Sequence, residues 1–504
     1  MFGQAARGFG RPRLVSSGRM LSASGPPRTY DRLRAPATKG PTEFSVDRAG
    51  LLGGGALDDK DLKGLMSNKY KEALSPLGKD LLSYIKVRGP ITLHDYIAQT
   101  SNHAVHGYYQ HAAEKIGVEG DFVTAPEISQ LFGEMIGIWC LWTWQALGEP
   151  REVGLIELGP GKGTLMKDVL RVATKFPKFL AAINIHLVEL SETMRSKQKA
   201  TLDCQGDDQK RNDLITAEGV KVSWYHMLQQ VPEREGVPSL VIGQEFLDAF
   251  PVHQFLYSKN GWRETLVDVD TSDSSPYFFR LVLSNNETPA VKALLTKGSR
   301  GKLEFSSSVP ATSVRVNTSN VAPVRPLSNA VDDYRGHIPP ELKEDDGIEI
   351  CPLALATCED IGRRINKTRG AALLIDYGEI LTQRDSLRAF KKHQQVSILS
   401  EPGLADITAD VDFSACSRVA ARKGVLVYPV VGQGEFLQRL GIMHRVEKLI
   451  ESESTTEEQA TLMVESLRRL VGDKEMGTRF KVMAFSDRSL PQTMIGFPPP
   501  SASS

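Results

Sequence analysis

The chain has 504 residues, 41% hydrophobic and 24% charged, and its Lys plus Arg and Asp plus Glu counts are equal at 61, giving zero formal net charge. This is the composition of a soluble globular protein with one large or two ordinary domains, and the charge balance argues against a general nucleic-acid or anionic-membrane binder. Five scattered cysteines, Cys140, Cys204, Cys351, Cys358 and Cys416, form no C-x-x-C pair, which suits a reducing compartment with no disulfide framework and no zinc site. The longest apolar stretch, MIGIWCLWTW at 135–144, is ten residues long and far short of a membrane span.

The first thirty residues hold Arg7, Arg11, Arg13, Arg19 and Arg28 and no acid before Asp31, the composition of a mitochondrial transit peptide, assigned to 1–35. A linker follows over 36–74, with Gly53, Gly54 and Gly55. Structure is expected from Ser75, where Leu77, Leu81, Leu82 and Ile85 repeat at helical spacing, Gly89-Pro90 is a stop, and a second helix starts at Thr92. These helices open an N-terminal helical segment, 75–150. Within it, Thr124-Ala125-Pro126-Glu127 reads as the capped start of an amphipathic helix whose Trp139, Trp142 and Trp144 are packing residues.

Residues 153–166, VGLIELGPGKGTLM, read as a strand, a glycine loop and a helix N-terminus, with an ordinary strand-to-helix turn as the simplest alternative. The dinucleotide fingerprint G-x-G-x-x-G fails because the third glycine comes one residue early. The phosphate loop fails because Lys162 is followed by Gly163 rather than Ser or Thr. The run from Glu157 through Gly159, Pro160, Gly161 and Gly163 instead resembles the first motif of S-adenosyl-L-methionine methyltransferases. INIHLVELS at 183–191 is a second strand ending in Glu189, placed to accept hydrogen bonds from ribose hydroxyls. Residues 203–219 read as loop and VKVSWYHML as a third strand. A fourth, buried strand over Leu240, Val241 and Ile242 delivers Gln244, Glu245 and Asp248 to its carboxyl end, where open α/β sheets bind ligands; the same acids would also suit a helix N-terminus. Residues 299–345 suggest a surface insertion. A helix is expected at 352–366, an apolar strand at 371–379, a loop capping a helix within 401–424, further helix from 436, and a disordered tail over 487–504.

Six stretches, GYY at 107–109, GDFVTAPEISQLFGE at 120–134, ELGPGKGTLMKDVLR at 157–171, HLVELS at 186–191, EFLDAFPVHQF at 245–255 and PGLADITADVDFS at 402–414, together resemble the MidA-like methyltransferases over residues 75–485. The resemblance implies an α/β fold with a Rossmann-like seven-stranded methyltransferase sheet over 151–486, preceded by the helical segment and carrying insertions over its carboxyl edge. It implies S-adenosyl-L-methionine as cofactor, held by Glu157, Gly159, Pro160, Gly161, Gly163, Glu189 and Gln244, with Thr124, Pro126 and Glu127 in a cleft wall that runs to Gln130. For the mitochondrial members it further implies symmetric dimethylation of an arginine on a core complex I subunit of the iron–sulfur protein 2 type, in the matrix, early in assembly. The double-glutamate hairpin and Thr-His-Trp loop of better-known arginine methyltransferases are not visible, so acceptor recognition is not carried over from them. A carboxylate pair can hold a guanidinium by bidentate hydrogen bonds and receive its proton, and Glu245 with Asp248 are the expected catalytic pair. Two other classes compete: a non-catalytic assembly chaperone on the same fold, and a methyltransferase acting on RNA or a small molecule, which the absence of a basic aromatic stripe disfavours.

Overall fold

The computed structural model describes residues 74–111, 115, 120–121, 123–206, 213–272, 275–295, 342–380 and 384–499. The expected transit peptide, all of the linker but Leu74, the insertion up to residue 341 and the last five residues of the tail lie outside them.

The molecule is built around one large sheet. Its strands, in chain order, are β1 (Val153–Leu158), β2 (Ile183–Val188), β3 (Asp213–Ile215), β4 (Lys221–Tyr225), β5 (Ser239–Gln244), β6 (Gly370–Glu379), β7 (Val411–Asp412), β8 (Leu426–Val427), β9 (Val431–Gly432) and β10 (Phe480–Ser486). They lie in the order β8-β10-β6-β5-β1-β2-β4-β3, with β7 paired to β6 and β9 to β10. The five central strands run parallel, which forces right-handed crossovers through helices and covers both faces. β10 inserts antiparallel beside β6, and the two short pieces β8 and β9 complete that edge. The expected seven-stranded sheet is therefore present, its sixth strand broken in two. β3 is an addition at the opposite edge, inside a segment expected to be loop; it pairs antiparallel with β4 and buries Leu214, a run too short to show a period.

Burial explains why these runs became strands. Every residue of β1 and of β5 is buried, and alternate side chains enter opposite cores: Leu155 and Ile242 on one face, Ile156 and Val241 on the other. On the first face pack α4 (Gln130–Ala146) and α5 (Thr164–Ala173), and on the second α7 (Pro352–Thr368) and α8 (Phe413–Ala421), among others. Trp139 and Trp144 are buried packing residues, as read from the sequence. The tail departs from expectation: Leu490, Met494 and Phe497 are buried in the first core, and the Trp139 indole points its N–H at the Met494 sulfur, so the chain is docked to residue 499.

A second, antiparallel sheet joins Ile91–Thr92, His253–Ser258, Gly261–Val269, Phe279–Leu283 and Gly347–Ile350. All but the first of these strands come from the chain between β5 and β6. The helices α1 (Pro76–Arg88) and α2 (Leu93–Asn102) begin where expected, are capped by the Ser75 and Thr92 side chains, and pack on this sheet through Leu82, Tyr96 and Ile97. The N-terminal helices are thus part of a layer that brings residues near 109 and 406 to the carboxyl edge of the main sheet.

Candidate active site

The carboxyl ends of β1, β2, β5 and β6 open on one cleft of about 1290 Å³, more than a small-molecule site of about 300–1,000 Å³ needs. Its walls fall into two halves. The first is set by the glycine loop. Gly159 takes φ +60°, and a Cβ there would stand 2.7 Å from the Phe246 ring, so any side chain would collide. Gly161, at φ +52°, faces open space. Gly163 does not line the cleft: at φ +86° it is the N-cap of α5, within 3.4 Å of the Gln198 Cα at its own Cβ position, so its task is the turn and the close approach of α6 (Glu192–Thr201). Glu157 and Pro160 both line the cleft. Burial pushes the Glu157 carboxyl up to about 8, and its Oε2 has no partner.

Glu189, at the tip of β2, is held rigidly. Its Oε1 accepts from the Ser191 amide at 2.8 Å and its Oε2 from Gln198 Nε2 at 3.2 Å. Gln198 also donates to the Gly161 carbonyl at 2.8 Å and accepts from the Trp224 indole at 2.8 Å, tying the glycine loop, Glu189 and β4 together. Nothing in the sequence of this polar helix singled Gln198 out. Across the cleft, Glu127 accepts from Thr164 Oγ1 and lies 3.7 Å from Lys162 Nζ, which clamps the 124–128 wall onto the glycine loop. That wall differs from expectation. Ala125–Ile128 is a single turn without a side-chain cap from Thr124; the chain extends at Ser129, whose hydroxyl caps α4 instead. Thr124, Pro126 and Glu127 nonetheless all line the cleft.

The second half is acidic and assembled from distant segments. Glu245 has φ +49°, a left-handed conformation that costs a non-glycine residue on the order of 1–3 kcal/mol. The turn is fastened by Asp376 of β6, whose Oδ2 accepts from the amides of Phe246, Leu247 and Asp248. The Glu245 Oε1 accepts from the Ala125 amide at 3.0 Å and from Gln244 Nε2 at 2.7 Å, and burial raises its carboxyl to about 8. The amide oxygen of Gln244 is buried without a partner. Asp248 also lines the cleft, but one of its oxygens accepts from Thr408 Oγ1 at 2.8 Å, and burial raises its carboxyl. Among the lining residues missed from the sequence are Asp406, which accepts from the Tyr109 hydroxyl at 2.9 Å, and Tyr109 itself. Both fall inside stretches that carried the family resemblance.

A family of S-adenosyl-L-methionine-dependent methyltransferases matches residues 135–430, more than half of the chain. The chain belongs to this family. Among relatives, the mitochondrial protein arginine methyltransferase NDUFAF7 of Xenopus tropicalis is 34% identical over 85% of this chain and 90% of its own, and that of Homo sapiens 34% over 82% and 83%. The Drosophila melanogaster homolog is 35% identical over 83% and 86%. The crystal structure of a COG1565 superfamily member from Burkholderia thailandensis bound to S-adenosyl-homocysteine matches with TM-score 0.62 at 24% identity, covering 84% of this chain and 97% of that one, a likeness of fold.

This methyltransferase therefore uses S-adenosyl-L-methionine, and the donor half suits it. Glu157 and Gln244 each present a buried oxygen without a partner, which would accept from the ammonium group of the cofactor, the Gly161 position leaves room for close approach, and Glu189, with both oxygens held in place, would receive the ribose hydroxyls. Lys162 and Thr164, beside the loop, are engaged with Glu127 rather than presented to a phosphate. No helix among the described residues is long and apolar enough to cross a membrane.

Proposed function

We propose that the protein is a mitochondrial protein-arginine methyltransferase that makes symmetric dimethylarginine on a core complex I subunit of the iron–sulfur protein 2 type, in the matrix and early in assembly. The acceptor end of the cleft carries this reading: Glu245, Asp248 and Asp406 face it beside Tyr109, Tyr377 and Phe390, a wall of carboxyl groups and aromatic rings suited to a planar cation. Relatives named as mitochondrial arginine methyltransferases support the acceptor class and compartment, as does the arginine-rich, acid-poor start of the chain. The complex I target and the symmetric product rest on the six sequence stretches that resemble the MidA-like methyltransferases.

Bound S-adenosyl-L-methionine supplies an activated methyl group, so the chain's own task is orientation and proton handling. Glu245 takes the guanidinium through the oxygen it leaves unbonded, while Ala125 and Gln244 fix the other. Asp248 stands behind it and Asp376 holds the strained turn in place. The 1290 Å³ of the cleft leaves space for chain flanking the acceptor arginine.

Incubating the protein with labelled S-adenosyl-L-methionine and mitochondrial extract, then identifying the labelled species by mass spectrometry, tests the reading directly. One labelled complex I subunit with symmetric dimethylarginine is the expected result. Labelled RNA or metabolite would replace the acceptor, and a protein that fails to bind the donor would return the chaperone reading. Glu245→Gln is expected to keep donor affinity within about threefold yet reduce turnover by about 10²–10⁴-fold; undiminished turnover removes Glu245 from the chemistry.

A further inference from the structure

Four carboxyl groups converge on the acceptor end of the cleft, and their hydrogen bonds distinguish them. Asp376 is consumed by backbone: three amides on Oδ2 and the Tyr377 amide on Oδ1. Asp248 accepts from Thr408, and its own carbonyl accepts from the Ala409 amide, so it grips the strand Asp406–Thr408 at both atoms. Glu245 keeps Oε1 occupied. Asp406 accepts one bond, on Oδ1, from Tyr109; among the described residues no hydrogen bond reaches its Oδ2. The residue is only 9% exposed and lines the cleft. It is a buried carboxyl with one oxygen unspent, lining the same cleft as Glu245 and Asp248.

Resting on the arginine reading above, we propose that Asp406 is the second acceptor-binding carboxylate and the group that takes the proton from the methylated nitrogen, with Tyr109 and Asp248 positioning it. As the N–C bond forms, the C–S bond breaks with its electron pair left on sulfur, and one N–H proton of the attacking nitrogen passes to Asp406 Oδ2 and from there to solvent. Charge is conserved: two cations enter, and one methylated guanidinium, one neutral thioether and one proton leave. Burial, with Asp248 and Asp121 nearby, lifts the Asp406 carboxyl to about 7, while the Tyr109 hydroxyl and Lys115 pull it down. Glu245 feels Asp406 in turn, and Phe390 is the residue opposite Asp406 on the neighbouring antiparallel strand. A base near neutrality matches the requirement that it be ionised before transfer and yet bind the proton.

The test uses the full chain with purified iron–sulfur protein 2 as acceptor. Asp406→Asn, which keeps an oxygen for Tyr109, is expected to bind S-adenosyl-L-methionine within about twofold of the parent while turnover falls about 10²–10⁴-fold. At saturating donor the parent's rate should rise with pH through about 7, as Asp406 ionises, and this limb should vanish in Asp406→Asn, leaving only the later limb of Glu245, raised to about 8. Tyr109→Phe removes a donor to the carboxylate, so its limb should shift to higher pH at unchanged donor affinity, a change that loss of packing would not produce. Turnover within about threefold of the parent, or a parental pH limb in Asp406→Asn, overturns the proposal while leaving arginine methylation standing. If the parent itself does not label arginine, the acceptor reading falls and this assignment falls with it; if Asp406→Asn loses donor binding, its role is structural and the proposal is likewise overturned.

Discussion

The two halves of the cleft are made in different ways. The donor half is centred on one run of chain, residues 157–198, to which Gln244 and the 124–128 wall are added, and it depends on backbone: positive φ at three glycines, a carbonyl fixed by Gln198 and an amide fixed by Glu189. The acceptor half gathers Tyr109, Glu245, Asp248, Asp376 and Asp406 from segments nearly 300 residues apart, and depends on side-chain carboxyls whose burial raises their proton affinity. Backbone changes should therefore break the first half outright, whereas isosteric side-chain changes should silence the second with the fold and cofactor intact.

The largest effect sharpens that contrast from the donor side. Gly161→Val places a branched side chain into the open cleft at φ +52°, where an L-residue also pays about 1–2 kcal/mol of strain. Calorimetry should find affinity for S-adenosyl-L-methionine reduced by at least about 10²-fold, the loss of a close backbone approach worth about 2.7 kcal/mol. Normal affinity in this variant would mean that the glycine loop does not hold the donor, and the division of the cleft would collapse.

Gln198→Ala is the next test. It leaves the buried Trp224 indole N–H without its partner and frees the part-buried Gly161 carbonyl, so denaturant unfolding should show about 1–3 kcal/mol less stability. Because Glu189 and the loop are loosened together, donor affinity should fall about tenfold with turnover at saturating donor retained. A fall in turnover alone would show that the two halves are mechanically coupled.

These two residues also mark where a sequence is legible and where it is not. Gly161 was legible because local spacing and φ requirements write themselves into consecutive residues, and the strands β1, β2, β4, β5 and β6 were legible because buried parallel strands are contiguous apolar runs. Gln198 was not, since a glutamine in a polar helix carries no periodic signal and its importance arises only when Trp224 and Gly161 arrive from elsewhere. Asp406 and Tyr109 are joined across 297 positions, a contact no local pattern encodes. Asp248 is readable from its place at a strand end and lines the cleft, while its bond from Thr408 is not readable, because it spans 160 positions. The second sheet was missed because its strands alternate only over part of their length and are gathered from Ile91–Thr92 to Gly347–Ile350, a pairing no local pattern announces. The tail looked disordered for its prolines and serines, although Leu490, Met494 and Phe497 are spaced to fill gaps in the core rather than to form an element.

The smallest expected effect concerns protons on the donor side, which the comparison assigns to Glu157. Its carboxyl, raised by burial from 4.5 to about 8, holds a proton in the free protein at neutral pH. Between those two values the folded state binds more protons than the unfolded chain, so this group's contribution to stability declines as pH rises through the window. An ammonium group placed against Glu157 Oε2 reverses the preference and favours the carboxylate. Cofactor binding well below pH 8 should then release up to one proton, and affinity should climb by up to about tenfold per pH unit before levelling near the raised value. Calorimetry in buffers of differing ionisation enthalpy reads that release directly, and the nearby Glu245 and Asp406, also raised, are separated from it by the variant Glu157→Gln. If that variant still releases the same proton on binding, the titrating group belongs to the acceptor half, and the donor would be sensed across the whole cleft rather than by the run of chain that ends at Gln198.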